Sequence, residues 1–362
     1  MRLEVNGVQY TNFVSASCQI RLDSLSNMFS FEAAAPSGQA LPFKGGEACS
    51  VIVDGEIVLT GFIEVVSVNY DAGVHTINVS GRDKTGDLLD STIDKIDDIR
   101  GDGLTLKILI EKVVAHLGLD IQVIDEVSPD PFNAAEDIAA PEPGDNAFQF
   151  IEKYARKRQV LLTSNSNGDI VIAANSGIAA DGVVQHSIGS NDNNVLSSSF
   201  SYDTTGRYNA YKMASGLNPV ALNLAGDTDL ASLVSQGGGV FDTEIRPGRQ
   251  LILVSESPFS DGNCEKRANW EADIRKARGL IYSATVPAYR VGGDSGDLWQ
   301  TNRVYQIIDD FVGKIEPMLC NSVSFTIDAE NGRNTTLGFV GKNAYTLNLS
   351  PSPLSEVASN VS

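Results

Sequence analysis

The amino-acid sequence predicts a mainly β protein with α+β parts: two related antiparallel β-barrel domains, a small α+β domain and an α/β insertion. The first observation is a β meander in residues 49–90, where the apolar run Val51–Val53 stops at Asp54-Gly55, a strong hairpin signal. The second observation is a similar meander about 250 residues later, over residues 303–341. The third is an amphipathic helical pattern in the chain between the two meanders.

The two meanders place their strands and turns in the same order. In the first, a β-branched run over residues 57–70 contains Gly61, which indicates a bend or bulge. In the second, residues 303–308 stop at Asp309-Asp310 and a long strand is expected over residues 319–327. Two strands are predicted to lead into each copy: residues 17–22 and 27–34 for the first, and residues 195–202 and 207–213 for the second. This order predicts an internal repeat.

The segments between the repeats predict helices. Thr105 is a predicted N-cap and Gly118 a predicted stop for a helix over residues 106–117, whose apolar side chains recur on one face. A second helix is expected to start at Asp145 or Asn146, and a long third helix over residues 263–278.

Composition shifts and glycines divide the chain into five predicted parts. They are a first β-barrel domain (1–92), a small α+β domain (93–185), a second β-barrel domain (186–216 and 297–346), an insertion with a long helix (217–296) and a flexible tail (347–362).

Charge and composition exclude several classes of protein. The 362 residues carry a net charge of -19, which argues against a nucleic-acid binder because such proteins neutralise phosphates with Lys and Arg. The sequence has neither an apolar run long enough for a membrane span nor the apolar core of a signal peptide at its start. The four cysteines are scattered, which favours buried structural thiols over a metal site or a disulfide framework. Synthesis in a cytoplasm is therefore expected.

Candidate catalytic groups lie in poor contexts. The sequence Gly293-Asp294-Ser295-Gly296 suggests a serine nucleophile, but His75, His116 and His186 lie in a predicted strand, helix and linker, so a plain turn is favoured. The acidic groups Asp83/Asp87/Asp90 and Glu136/Asp137 leave open a carbohydrate-active (cell-wall-degrading) β-protein, although a solvated acidic surface is the simpler interpretation. No catalytic residue, cofactor or metal ligand is predicted, and the chain is not expected to be an enzyme.

Several sequence blocks carry a resemblance to a known family. They are GRDKTGDLLDS after the first meander, the helical block NCEKRANWEADIRKARG, and the downstream blocks TVPAYR, DLWQTNRV and GKNAY. In order and spacing, residues 1–345 resemble the baseplate hub proteins of Mu-like contractile-tailed phages, a family similar in fold to the T-even central hub and the N-terminal part of type VI secretion spike proteins. The resemblance implies a ring-forming homotrimer with two β-barrels per chain, the second of them interrupted.

The resemblance implies a structural baseplate hub of a phage tail, located in the virion and assembled in the host cytoplasm. Such a trimer would adapt the sixfold tail tube to the trimeric central spike, contact baseplate wedge proteins, and leave an axial channel for transient passage of DNA without specific binding. The turns Asp54-Gly55 and Asp309-Asp310 are the predicted interface residues. An acidic lumen or surface is predicted at Asp83, Asp87, Asp90 and Asp94. The equivalent hub of a contractile bacteriocin or a long flexible tail stays open.

Overall fold

A computed structural model describes residues 1–34, 42–71, 73, 75–94, 103–132, 139–214, 240–254, 261–293 and 295–347. The predicted carboxylate pair Glu136/Asp137 lies outside the described residues, as does the predicted tail beyond Leu347. Within these ranges there are 21 strands and four helices, which confirms the mainly β class with α+β parts.

The N-terminal part of the chain is built from strands. They are β1 (Arg2–Val5), β2 (Val8–Tyr10), β3 (Ser15–Arg21), β4 (Met28–Ala34), β5 (Ala48–Val53), β6 (Glu56–Tyr70) and β7 (His75–Asp83), followed by α1 (Gly86–Asp90) and β8 (Thr92–Ile93). We call β1–β7 the first β-unit.

A helical part follows the first β-unit. It consists of α2 (Leu106–Leu117), β9 (Val123–Asp125), β10 (Asp145–Asn146), α3 (Ala147–Lys157), β11 (Leu161–Ser164) and β12 (Ile170–Ala173). Both predicted caps of α2 are present: the Thr105 side chain accepts a hydrogen bond from the Ile108 N–H, and Gly118 has a left-handed φ of 67°. Asn146 caps α3 in the same way, by accepting from the Gln149 N–H at 3.0 Å.

The C-terminal part returns to β structure. Its elements are β13 (Ala179–His186), β14 (Ser197–Tyr202), β15 (Ala210–Ala214), β16 (Val240–Phe241), β17 (Gln250–Val254), α4 (Asp261–Arg278), β18 (Leu280–Pro287), β19 (Val304–Asp309), β20 (Lys314–Asp328) and β21 (Gly332–Gly341). We call β13, β14 and β18–β21 the second β-unit.

One large sheet joins the two units. Its 13 strands run in the order β14-β18-β21-β20-β3-β4-β7-β6-β5-β1-β2, with β19 beside β20 and β13 beside β19. The pairing is antiparallel except between β13 and β19, and the units meet where β20 pairs with β3. Buried side chains of both units, from Leu3 to Phe339, form a single hydrophobic cluster. The two predicted barrels are therefore parts of one continuous sheet with a shared core.

The internal repeat is visible in strand lengths and in the position of a β-bulge. Strands β5, β6 and β7 have 6, 15 and 9 residues, and β19, β20 and β21 have 6, 15 and 10. The β6–β7 pairing shifts register between Ile63 and Val65, and the β20–β21 pairing shifts between Cys320 and Ser322. Aligning these bulges makes Val65 equivalent to Ser322.

Gly61 is not a bulge residue. It pairs in register with Cys49 and with Asp83, and the extra residues of β6 are Val58 and Glu64. A Cβ atom at position 61 would lie 1.9 Å from the Arg82 carbonyl oxygen. The glycine is therefore required because two strand backbones approach closely.

Three strands pair differently from what the sequence predicts. β18 belongs to the large sheet, although it falls within the predicted insertion 217–296. β15 is expected to lead into the second barrel, but it pairs with β16 and β17 in a separate sheet. β13 includes part of a predicted polar linker, yet it pairs in parallel with β19. These partners are far apart in sequence, so local alternation alone does not select between them.

Candidate interaction surface

The predicted turn Asp54-Gly55 is held within the chain. Both residues have positive φ, 44° and 89°. Arg290 of the second unit donates to the Asp54 carbonyl oxygen at 3.0 Å and to the Glu56 carboxylate at 2.7 Å. Arg333 lies 3.4 Å from the Asp54 carboxylate. Most of the polar capacity of Asp54 is therefore used between the two units, and Gly55 stays exposed.

Asp309 is fully buried and shapes the corresponding turn of the second unit. It accepts hydrogen bonds from the Tyr282 hydroxyl at 2.8 Å, the Ser198 hydroxyl at 3.1 Å, and the backbone N–H groups of Phe311 and Val312 at 3.0 and 3.3 Å. Burial alone would raise the pKa of Asp309, but these hydrogen bonds together lower it below its ordinary value. Asp309 therefore organises the turn from inside and cannot itself contact another protein.

The neighbouring residues of this turn are exposed and apolar. Phe311, Ile188 and Ile315 have 81%, 74% and 72% of their surface exposed. The exposed Asp310 carboxylate accepts a hydrogen bond from the Ile188 N–H at 3.1 Å, which keeps the segments together. We call Ile188, Asp310, Phe311 and Ile315 the apolar turn patch. Of these four residues, only Asp310 is predicted from the sequence as an interface residue, although the Phe-Val pair directly after Asp-Asp in a hairpin turn is an available signal.

Asp83 is buried and does not belong to an acidic surface. Its carboxylate accepts from the hydroxyls of Ser164, Thr85 and Ser26 at 2.5, 2.6 and 2.8 Å, and from the Asn27 N–H at 2.9 Å. Burial raises the pKa of Asp83, although these hydrogen bonds act in the opposite direction. Ser164 lies in β11, so Asp83 links the first β-unit to the helical part.

The other predicted acidic residues are exposed. Asp90 pairs with Arg82, which lowers the pKa of that carboxyl, and Asp94 lies 2.5 Å from His116. The pKa of Asp87 is raised, chiefly because it is partly desolvated. Two of the three exposed carboxylates are thus in contact with a basic side chain.

Among the described residues, which do not include Asp294 of the predicted motif, the structure does not assemble a catalytic serine. Ser295 lies in an exposed turn. His186 comes within 3.5 Å of Asp309, and Ser198 contacts the same carboxylate, but the serine hydroxyl donates to the aspartate rather than to the histidine. A nucleophilic serine requires the histidine as its base, so this arrangement is not a proton relay.

In the part of the chain that the structure describes, no cluster of three or more His, Cys, Asp or Glu side chains could hold a metal ion, and the four cysteines are free and buried. No helix in that part is both long enough and apolar enough to cross a membrane. A cleft of about 410 Å³ runs between the units and the helical part, lined by residues that include Glu126, Ser164, Trp299 and Arg303. Its lining also includes Glu56, whose carboxylate accepts a hydrogen bond from Arg290.

Three protein-family models match the chain. Residues 1–83 match the N-terminal domain of the Mu phage baseplate assembly protein GpP-like family, residues 85–174 the second domain of gp44-like baseplate hub proteins, and residues 260–348 the fourth domain of the Mu baseplate assembly protein GpP.

The chain is also similar over most of its length to individual phage tail proteins. The baseplate hub protein gp44 of Escherichia phage Mu is 24% identical over 345 residues, which are 95% of this chain and 88% of that protein. The 43 kDa tail protein of prophage MuSo2 from Shewanella oneidensis is 27% identical with a TM-score of 0.78, over 96% of this chain and 99% of that one. An E. coli type VI secretion component, described as structurally similar to T4 tail proteins, shares the fold at a TM-score of 0.56 and 9% identity, over 98% of this chain and 81% of that one.

Proposed function

Because the chain belongs to the family of Mu-like phage baseplate hub proteins, we propose that three copies form a ring that joins the sixfold tail tube to the threefold central spike. The protein is a structural component of a phage tail baseplate and hence of the virion.

The internal repeat is the observation that carries the ring proposal. Each chain contains two β-units whose central hairpins have the same order, nearly the same lengths and a bulge at the same point. Three chains therefore supply six similar units, which can match a sixfold ring on one face, while the helical part and the insertion occur three times and match the spike. Heterologous contacts of this kind close into a ring when the rotation per step divides a full turn.

The exposed turns are the proposed contacts with the tail tube. In the second unit the apolar turn patch offers Phe311 and Ile315, and in the first unit Gly55 is exposed at the equivalent hairpin. Three exposed apolar side chains around one turn favour a protein contact over solvent. Spike and wedge proteins are the further proposed partners.

The ring lumen is proposed to be poor in Lys and Arg. The net charge is -19 per chain, and DNA must slide through rather than bind. Each neutralised phosphate would add affinity by counterion release, so a basic lumen would retain the genome. Asp87 is the acidic residue proposed for a lumen position, because it is exposed and Arg82 acts on it only at longer range, whereas Asp90 and Asp94 contact basic side chains directly.

The ring is tested by light scattering on the purified chain, which should give about three times 38.6 kDa, combined with electron-microscope class averages that show a threefold ring with an open centre. A monomer that persists at micromolar concentration in moderate salt would overturn the proposal. Phe311→Ser should leave the trimer intact and abolish its binding to tube protein, with Val14→Ser, at a 47% exposed site, as the control. Tight binding of duplex DNA by the trimer would contradict the proposed lumen.

No observation in the described residues favours the alternative of a cell-wall-degrading enzyme. Of its candidate carboxylates, Asp83 is buried in a hydrogen-bond network and Asp90 is paired with Arg82. A muramidase assay on the purified chain, expected to be negative, checks this alternative.

A further inference from the structure

One half of the longest strand in the first unit has an open edge. β6 pairs with β7 along its length, and on its other side it pairs with β5 only up to Phe62, followed by backbone hydrogen bonds of Ile63 to residues 46–47. Beyond that point the other edge of β6 pairs with no strand among the described residues. Val65, Val68 and Tyr70 in this half are 54%, 39% and 80% exposed.

A second open edge lies at the far end of the same sheet. β14 pairs with β18 through six residues, from Ser197 opposite Thr285 to Tyr202 opposite Leu280. In the described part of the chain, its other edge has no neighbouring strand. Five of the six β14 residues are exposed. Open edges of this kind are templates for pairing with another chain.

The internal repeat identifies what normally covers such an edge. In the second unit, the corresponding half of the long strand β20 pairs antiparallel with β3 of the first unit, from Ser322 opposite Arg21 to Asp328 opposite Ser15. This pairing is the junction between the two units. The corresponding half of β6 in the first unit lacks this neighbour, and the first unit has no equivalent junction within the chain.

Pairing registers make the equivalence specific. The aligned bulges place Val65 at the position of Ser322, and therefore Val68 at the position of Phe325. Following the ladder from β7 to β4 to β3, and from β21 to β18 to β14, places Phe200 at the position of Cys18. Strand β14 is therefore the second unit's counterpart of β3.

We infer that β6 of one chain pairs antiparallel with β14 of a second copy of the same chain, in the register Val66–Tyr202, Ser67–Ser201, Val68–Phe200 and Asn69–Ser199. This inference rests on the proposed ring and specifies the contact that closes it. The junction between chains repeats the junction within the chain, so six β-units are joined by six similar strand pairs. The same contact used by every copy is heterologous, as a ring requires.

Side-chain burial agrees with this assignment. Val323 and Phe325 are buried at the junction within the chain, at 1% and 2% exposure. Their counterparts on β6 are Val66, which is partly buried, and Val68, which is 39% exposed. Val66 and Val68 are thus apolar at positions where β3 flanks the equivalent residues of β20, but no described strand flanks them on this edge. The second chain would remove this apolar surface from water and satisfy the backbone groups of both edges.

Cysteine cross-linking tests the register. The double variants Ser67→Cys/Ser201→Cys and Val68→Cys/Phe200→Cys place thiols directly opposite each other across chains, at Cα separations of about 4.5–5.5 Å, which a disulfide can bridge. Mild oxidation should convert most of the protein from one chain length to two and three on a denaturing gel. The native cysteines give little background because all four are buried.

The control shifts the register by two residues. Ser67→Cys/Ser199→Cys places the thiols about 7–8 Å apart on the diagonal, which a disulfide does not span, so it should stay at one chain length. A wild-type trimer in which neither in-register pair cross-links, or in which the shifted pair cross-links equally, would overturn the inference and leave the trimeric hub in place. A wild-type monomer would instead overturn the hub proposal itself.

A charge variant gives a second readout. Val68→Asp should convert the trimer to a monomer, a threefold loss of mass in light scattering, and should leave the fold intact because the side chain is exposed in one chain. Ile57→Asp is the matched control, since Ile57 lies in the covered half of β6 and is 49% exposed. A Val68→Asp protein that remains a trimer contradicts the strand pairing.

Discussion

The first and second β-units share a skeleton but differ at the residue that ends the hairpin. In the aligned repeat, Asp83 at the end of β7 corresponds to Gly341 at the end of β21. Asp83 joins its unit to the helical part through a buried carboxylate that accepts a hydrogen bond from Ser164. At Gly341, an added Cβ would lie 3.4 Å from the Ala277 Cα, an ordinary contact distance, so this position faces helix α4 and not a hydrogen-bond network.

The glycine in the closing residue pair lies on a different strand in each hairpin. Gly61 lies on β6 opposite Asp83, whereas in the second unit Gly341 lies on β21 opposite Met318, which is fully buried. The two copies of the repeat therefore share strand order and register. They differ in the side chains that contact the neighbouring part of the chain. The comparison predicts which substitutions damage one unit and spare the other.

The largest expected effect is at Gly61. Gly61→Ala would place a Cβ 1.9 Å from a backbone oxygen that cannot move aside, and we expect a loss of more than about 4 kcal/mol or failure to fold. Gly338→Ala in the second unit meets only the Ser322 hydroxyl, which can rotate, and should cost about 1 kcal/mol. Urea unfolding of both variants measures the difference. Equal losses would show that the close approach is not specific to the first unit.

The next largest loss of stability is expected for Asp309→Ala. It removes the acceptor of two side-chain hydroxyls and two backbone N–H groups beneath the turn, and should cost roughly 3 kcal/mol. Asp310→Ala next to it removes one exposed hydrogen bond and should cost less than about 1 kcal/mol. The midpoint of urea unfolding separates them. A similar loss in both variants would argue against the buried network.

The two buried aspartates should respond to pH in opposite directions. The pKa of Asp83 is raised above its ordinary 3.8, so its contribution to stability is complete below that value and is lost as the pH rises through the folded-state pKa. The pKa of Asp309 is lowered, so its contribution is present above 3.8 and is lost as the pH falls through its folded-state pKa.

The measurement is the urea midpoint of wild type, Asp83→Asn and Asp309→Asn from pH 3 to 7. Asp83→Asn should gain stability relative to wild type as the pH rises, and the penalty of Asp309→Asn should shrink on acidification. Parallel curves for the two variants would contradict the difference between the sites.

Arg290 tests the contact between the units. Arg290→Ala removes hydrogen bonds to the Asp54 carbonyl, the Glu56 carboxylate and the Gly296 carbonyl, and should cost about 1–2 kcal/mol. Arg333→Ala removes a longer pair to Asp54 and a contact with the Tyr289 ring from a half-exposed side chain, and should cost less than about 1 kcal/mol. Thermal unfolding compares the two. If Arg333→Ala were the more damaging, the turn would not be held by Arg290.

The smallest expected effect is at Gly341. Gly341→Ala brings a Cβ to the near limit of ordinary van der Waals contact with Ala277 of helix α4 and should cost about 1 kcal/mol or less. Hydrogen exchange of α4 amides should rise in this variant and stay unchanged in Asp83→Asn, which acts on the helical part instead. Increased exchange across the whole sheet would mean that the substitution disturbs the second unit rather than its contact with α4.

Local patterns in the sequence determined the elements whose signals are short-range. The Asp54-Gly55 turn, the Thr105 and Gly118 caps, the buried face of α2 and the length of α4 were all predictable, because caps, turns and periodicity involve residues only a few positions apart. The order of the two meanders was also legible, since it is repeated in the chain itself.

Tertiary structure alone decided which strands pair and which charges are buried. β18 and β15 alternate in similar ways, but one lies in the large sheet and the other beside α4, because their partners are distant in the sequence. Asp83 and Asp309 lie in sequences typical of surface turns. They are nevertheless buried, because donors from β11, from β14 and from the turn backbone form hydrogen bonds with their carboxylates. The open edges of β6 and β14 depend on pairings between strands that are distant in the sequence, so only the tertiary structure reveals them.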